Sequence, residues 1–324
     1  MVHNALTIKT RKPTDGVDIF FVGDEQEGSP GYRNDVWQDF VDDWKRSPNP
    51  YMIHMGDARN WLRPTMRTKI RASLAGDRSA HAELDDLVML GLNQTLERLD
   101  PFRGRIIGMH QGHHDWEFLS GATCTMLLAQ HLKALNYGWK AGTRLGLEFA
   151  SQARTKAGGA YQFAIATSHG NASGRDTTGV AGSMERSMKD LICDLKVQGH
   201  ACRSAAWTPH EYTIIKKRGG PGIVQVVPRH LLVGGFCEAY TDGWISRPKV
   251  DMNTKKEYGG NPQSTYAEER GLTPQPLMWG VARLRLRYSR GINRERNMSP
   301  NGSPLLDIET VNRGPSVGAG GINW

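Results

Sequence analysis

The chain has 324 residues, of which 38% are apolar and 23% charged, enough for one large core and too ordinary to be disordered or fibrous. No apolar run approaches the ~20 residues of a membrane span, and Met1-Val2-His3-Asn4 lacks the basic-then-apolar build of a secretion signal, so a cytoplasmic protein is expected. A net charge of +8 and a pI near 9.3 permit phosphate-rich partners without requiring them; Cys124, Cys193, Cys202 and Cys237 have no CxxC spacing and indicate neither a disulfide frame nor a zinc ribbon.

Residues 1–16 read as a polar leader. Residues 17–22, Val-Asp-Ile-Phe-Phe-Val, have the continuous apolar character of a strand covered on both faces, and they end in Gly23-Asp24-Glu25-Gln26-Glu27-Gly28. A helix is expected over 35–46, with Val36, Trp37, Phe40, Val41 and Trp44 on one face and Asn34 or Asp35 as its cap. The strand at 51–55 ends in Gly56-Asp57. A basic helix is expected at 65–74 and a longer one at 80–99, stopped by Asp100-Pro101.

Residues 105–109 form the next strand, and it runs into His110-Gln111-Gly112-His113-His114-Asp115, with Trp116 and Phe118 as apolar anchors. Neutral imidazole is a common metal ligand, and a second histidine beside a ligand can act as a proton donor near neutral pH. Helix 124–135 follows, then an alternating strand at 161–168 ending in His169-Gly170. A helix at 184–192 precedes the short strand 195–198, which ends in Gly199-His200-Ala201-Cys202. Beyond residue 212 the pattern becomes short strands with Gly and Pro turns, expected to form antiparallel sheet over 237–288 that completes a core spanning 17–236. Residues 289–324 read as a polar Gly, Pro and Arg-rich arm.

In each of five places a polar residue sits just past the C-terminal end of a strand, where open α/β sheets bind ligands. Any one of these has a plainer reading. Gly-Asp is a common turn after a strand, and a lone histidine is often a hydrogen-bonded core residue, the role expected for His54 and His110. Arg59, Arg63 and Arg67 fit either a solvated helix face or a path for a polyanion. Trp116, Trp139, Trp207, Trp244 and Trp279 lack regular spacing and are read as packing residues.

Taken in order, Asp24-x-Gln26, Gly56-Asp57, Gly112-His113-His114-Asp115, His169-Gly170 and Gly199-His200-x-Cys202 resemble the calcineurin-like metallophosphoesterase family. Its pattern is Asp-x-His, Gly-Asp, Gly-Asn-His-Asp/Glu, His and Gly-His-x-His. Gly234-Gly235-Phe236 and the stretches 264–268 and 271–276 are similar to phage and microbial members. The resemblance implies an α/β fold, a four-layer α-β-β-α sandwich of two mixed sheets, with one or two divalent metal ions (manganese, zinc or iron) at one edge. It implies a phosphate-ester substrate cleaved by metal-activated hydroxide, with nucleic acid as one candidate partner.

Carried over by position, Asp57 would bridge the ions, His169 and His200 would complete one metal site with His113, and Asp24, Gln26 and Cys202 would hold the other. His114 would take the catalytic histidine's place, with Asp115 orienting it. Gln26, His113 and Cys202 depart from the family pattern. Glu25 or Glu27 could supply a carboxylate in place of Gln26, and the losses at Gln26 and Cys202 leave open a degenerate member that serves as a binding or assembly module.

Overall fold

The structure, a computed structural model, describes residues 2–10, 16–29, 31–61, 70, 78–149, 160–170, 177–191, 193–200, 204–207, 211–217, 220–226, 229–237, 249–250, 257–258, 277–287 and 305–314. In chain order the strands are β1 (Val2–Thr10), β2 (Val17–Val22), β3 (Pro50–His54), β4 (Ile106–His110), β5 (Leu135–Gly138), β6 (Lys140–Phe149), β7 (Ala160–Ser168), β8 (Leu195–Gln198), β9 (Ala205–Trp207), β10 (Glu211–Lys217), β11 (Gly220–Val226), β12 (Arg229–Leu232), β13 (Lys249–Val250), β14 (Glu257–Tyr258), β15 (Trp279–Arg287) and β16 (Leu305–Arg313). The helices are α1 (Asn34–Arg46), α2 (Arg78–Leu99), α3 (Cys124–Leu132) and α4 (Thr177–Met188).

Two six-stranded mixed sheets carry the fold, one ordered β16-β15-β2-β3-β4-β5 and the other β1-β6-β7-β8-β12-β9. Strands β2 to β5 run parallel, as do β7, β8 and β12, so their C-terminal ends gather along one edge. Alternation along β2 shows why the layers stack: Phe20 and Val22 pack with helical residues, while Ile19 and Phe21 face the second sheet. The helix side holds Trp37, Phe40, Leu92 and Leu128, and the space between the sheets is filled by Ile53, Ile107, Phe163, Leu195 and Leu231. On the outer face of the second sheet, Val180, Met184 and Met188 of α4 cover Ala166 and Leu232. The result is the expected four-layer α-β-β-α sandwich.

Several stretches differ from expectation. The leader is not outside the core: β1 pairs in parallel with β6, and its Ile8 is buried between the sheets. Part of the expected C-terminal arm is β16, antiparallel to β15, which is itself antiparallel to β2. Arg313 of β16 donates to Asp43 of α1 at 2.6 Å, and Trp279 Nε1 donates to the same carboxylate at 3.1 Å, so the strand pair is tied to a helix across the chain. Helix α3 ends at Leu132, where Lys133 adopts a left-handed φ of 58°, and the chain re-enters the sheet as β5. Helix α4 begins at Thr177, because Val180, Met184 and Met188 recur every four residues and bury one face. Asn34 lies inside α1 rather than capping it; Arg33 holds the cap position and its guanidinium pairs with Asp35 at 2.8 Å. The expected helix at 65–74 falls outside the described residues apart from Ile70. No described helix is long and apolar enough to cross a membrane.

Candidate metal centre

The gathered strand ends are joined by backbone bonds between neighbouring loops. Asp24 N donates to Gly56 O at 2.9 Å and Gln26 N to Asp57 O at 3.0 Å, so the loops after β2 and β3 run side by side. Between the sheets, His169 Nδ1 donates to Met55 O at 2.7 Å, and His200 N donates to Asp24 Oδ2 at 2.7 Å. These two bonds fix the second sheet's histidines against a backbone carbonyl and a carboxylate of the first sheet's loops.

Glycine is needed at two points. A Cβ at Gly112 would stand 1.9 Å from Asp57 Oδ1, and one at Gly56, where φ is +106°, would stand 2.6 Å from His169 Nδ1. Asp24, Gln26, Asp57 and His200 all have positive φ, between 47° and 67°. Left-handed backbone is uncommon for such residues and concentrates at sites where the surrounding fold holds it in place.

Asp57, His113, His169 and His200 come together: each offers a ligand atom, and these atoms all lie within 4.8 Å of one another. His169 Nε2 is 3.0 Å from His113 Nδ1 and 3.3 Å from Asp57 Oδ2. The His113 and His200 ring centroids are 4.0 Å apart. Three imidazoles and one carboxylate in this space suit a divalent metal ion.

The electrostatics of the cluster show which charges a cation would offset. Burial raises Asp24 to about 7 against the pull of His169, with Asp57 and Glu25 adding to the rise. Asp24 Oδ1 is buried with no hydrogen-bond partner, a costly state that a cation relieves. Burial would also raise Asp57, but His169 and the nearby His114 hold its carboxyl well below the usual range. In return Asp57 lifts His169 to about 9 despite burial. His200 is pushed down to about 3 by burial and by His169 and His113, so its ring is neutral and carries a lone pair at neutral pH.

The other expected site residues divide. Asp24 sits beside the cluster but outside the four-donor set. Gln26 is half-buried; its backbone joins Asp57 O and Ser29 N. Cys202 lies outside the described residues. His114 is at the site, its backbone N–H donating to Asp57 Oδ1 at 2.8 Å. Its ring Nδ1, however, faces Asn60 Oδ1 at 2.9 Å, while Asp115 Oδ1 accepts from Thr125 N at 3.1 Å in the first turn of α3. Asn60 therefore takes the orienting position expected of Asp115; it follows Asp57 by three residues, with nothing in its type or spacing to mark it.

Glu25 and Glu27 do not serve as spare ligands. Glu25 is fully buried 3.0 Å from His54 Nε2, whose Nδ1 accepts from Gly56 N, so His54 donates from Nε2 to the carboxylate. Glu27 receives Thr95 Oγ1 at 2.8 Å and lies 3.1 Å from Arg59 and 3.5 Å from Arg98. Arg59 also donates to Gln94 at 2.9 Å, so it is committed internally rather than lining a polyanion path; Arg63 and Arg67 lie outside the described residues. His110 is structural as expected, donating from Nδ1 to Gly138 O at 3.0 Å and accepting Thr167 Oγ1 at 2.7 Å. Trp116 and Trp279 are buried packing residues, but Trp139 is 45% exposed and lies at the cluster's edge.

No protein-family model matches this chain, and no curated protein matches it significantly. Among solved structures it is similar to Vacuolar Protein Sorting 29 from Cryptosporidium parvum, at 12% identity over 92% of this chain and 99% of that one, with a TM-score of 0.34. It is also similar to the zinc-complexed Vps29 of Entamoeba histolytica (11% identity, 91% and 98% coverage, TM-score 0.30). A predicted phosphoesterase from Streptococcus pneumoniae gives 11% identity, 92% and 97% coverage and a TM-score of 0.29. The architecture described above rests on strand order and on the three cores, not on these likenesses.

Proposed function

We propose that this protein is a metal-dependent phosphoric ester hydrolase, centred on Asp57, His113, His169 and His200. The observation that carries the reading is the convergence of those four donors, within 4.8 Å, from strand ends of both sheets. A buried, unpartnered Asp24 oxygen beside them fits a cation in the same space. A divalent ion held there supplies Lewis-acid polarisation of a phosphoryl oxygen and of water near neutral pH. The chain's own residues do the rest. With Nδ1–H given to Met55 O, His169 turns its Nε2 toward Asp57, where a cation would take the place of the proton that Asp57 holds on it, and His200 is already neutral with a ligand atom in the same space. Asp57 brings negative charge that offsets the cation.

His114 holds a proton at Nδ1 toward Asn60 Oδ1, and as imidazolium it carries a second at Nε2 to give to the departing ester oxygen. The test joins metal analysis with turnover of bis(p-nitrophenyl) phosphate and p-nitrophenyl phosphate in manganese. Near-stoichiometric metal, lost in His200→Ala together with at least ~100-fold of the hydrolysis, is expected. A wild-type protein that cleaves neither ester with manganese, zinc, iron or magnesium is no esterase. Stoichiometric metal without turnover selects the second reading, a binding or assembly module, which the neutral amide of Gln26 in an imidazole's place favours.

A further inference from the structure

Trp139 is the single residue between β5 and β6, at the point where the chain passes from one sheet to the other. Its backbone is held from several sides. Gly138 O accepts from Gln111 N at 2.9 Å, Trp139 O accepts from His169 N at 3.2 Å, and Lys140 is paired with Ser168 in the β6–β7 register. The indole has two neighbours in the four-donor cluster. Its centroid is 4.8 Å from that of His113, at 70° between planes, and 5.9 Å from that of His169, at 60°.

Neither contact is a face-to-face stack, and 45% of the residue is open to solvent. Trp37, Trp116 and Trp279 are each 2% exposed or less, so this fold has the core space to bury indoles. A lone exposed apolar side chain is ordinary on a surface. Trp139 differs because its backbone is fixed and its ring borders the donors that would face a phosphate. A rigid aromatic platform loses little entropy when a planar group stacks on it, and every nucleobase offers such a face.

We infer that Trp139 is the specificity-determining residue of this site, stacking the nucleobase of a phosphate ester whose phosphate lies at Asp57, His113, His169 and His200. The inference rests on the proposed phosphoesterase reading for its substrate and narrows that class to nucleotide esters. Base stacking on an aromatic side chain changes affinity by roughly 5- to 150-fold when the ring is removed.

The test compares dissociation constants of adenosine 5′-monophosphate and ribose 5-phosphate by isothermal titration in manganese buffer, for wild type, Trp139→Ala, Trp139→Phe and Trp139→Leu. Wild type is expected to prefer the nucleotide by about tenfold or more, the preference collapsing in Trp139→Ala and Trp139→Leu and persisting in Trp139→Phe. The Phe and Leu variants both keep apolar bulk against His113, so they decide the matter even where Trp139→Ala loses metal. A wild-type preference near one, no binding of adenosine monophosphate, or a Leu variant equal to Phe overturns the inference. Turnover is measured separately: nucleotide preference without hydrolysis of any ester removes the esterase reading and leaves the stacking role standing.

Discussion

Gly112→Ala separates the site from the fold. The new Cβ would lie 1.9 Å from Asp57 Oδ1, 2.5 Å from Asp57 N and 2.6 Å from Asp57 Cγ. Rotating the carboxylate does not relieve a clash that includes the backbone nitrogen, so the loops after β3 and β4 must part by about 1 Å or more, an overpacking cost of roughly 1–3 kcal/mol. Metal ligand distances tolerate about 0.2 Å. The same displacement pulls His114 N from Asp57 Oδ1, a bond of 2.8 Å, and carries His113 away from His169. The expected outcome is a folded protein with roughly 10- to 100-fold weaker zinc or manganese affinity, the loss that follows when ligand orientation is disturbed. Gly104→Ala is the control: φ is +73° but no atom lies within 4 Å of its Cβ. It is expected to cost about 1 kcal/mol of backbone strain and no metal. Urea unfolding of the EDTA-treated proteins and competition of the metal with a chromophoric chelator supply both quantities. Wild-type metal affinity in Gly112→Ala would refute the placement of Asp57 against Gly112.

Two further predictions concern buried charge away from the donors. Burial alone would raise Asp18, but Arg283 at 2.6 and 2.8 Å and Ser47 Oγ at 2.8 Å hold its carboxyl below the ordinary 3.8. A depressed folded pKa contributes stability fully above the unfolded value and loses it as pH falls through the folded one, so the loss should appear below about pH 3.8. Asp18→Asn is expected to flatten that acid limb and cost about 3 kcal/mol at pH 7, measured by urea unfolding from pH 2 to 7; an unchanged acid limb counts against it. Arg98 lies 4.2 Å over the Trp37 ring, donates to Ala58 O at 3.2 Å, and stands 4.0 Å from Glu25 and 3.5 Å from Glu27. Arg98→Met leaves both carboxylates in the interior with one cation fewer and is expected to destabilise by roughly 3–5 kcal/mol, with Arg98→Lys recovering little because an ammonium lacks the planar fork. Near-native stability in Arg98→Met would mean that His54 and Arg59 suffice.

The layering was legible because burial leaves a periodic mark. The five apolar residues among the six of β2 and the four-residue spacing in α1 are consequences of which face meets which core, and they survive in a one-dimensional reading. The order of the Gly-Asp and His motifs was legible for a related reason: parallel strands put their ends on one edge, so chain order predicts the edge. β1 and β16 were missed because an edge strand need bury only one face, or part of one; β1 shows one fully buried apolar residue, Ile8, amid polar neighbours.

By itself the order of residues determined the main strands and helices and the strand-end loops that carry Asp57, His113, His169 and His200; the sandwich and the shared site were implied by a family resemblance. Tertiary structure alone decided who faces whom. Asp115 is charged and adjoins His114 in the motif while Asn60 is a neutral amide outside it, yet Asn60 meets His114 and Asp115 turns to Thr125. Glu25, a possible ligand by its position in the chain, is paired with His54 at 3.0 Å, and Trp139, a packing residue by its spacing, is exposed beside His113. Burial pattern is set by local alternation and so is written along the chain. Pairing between side chains from distant loops depends on left-handed turns and on an approach between sheets that no local pattern encodes.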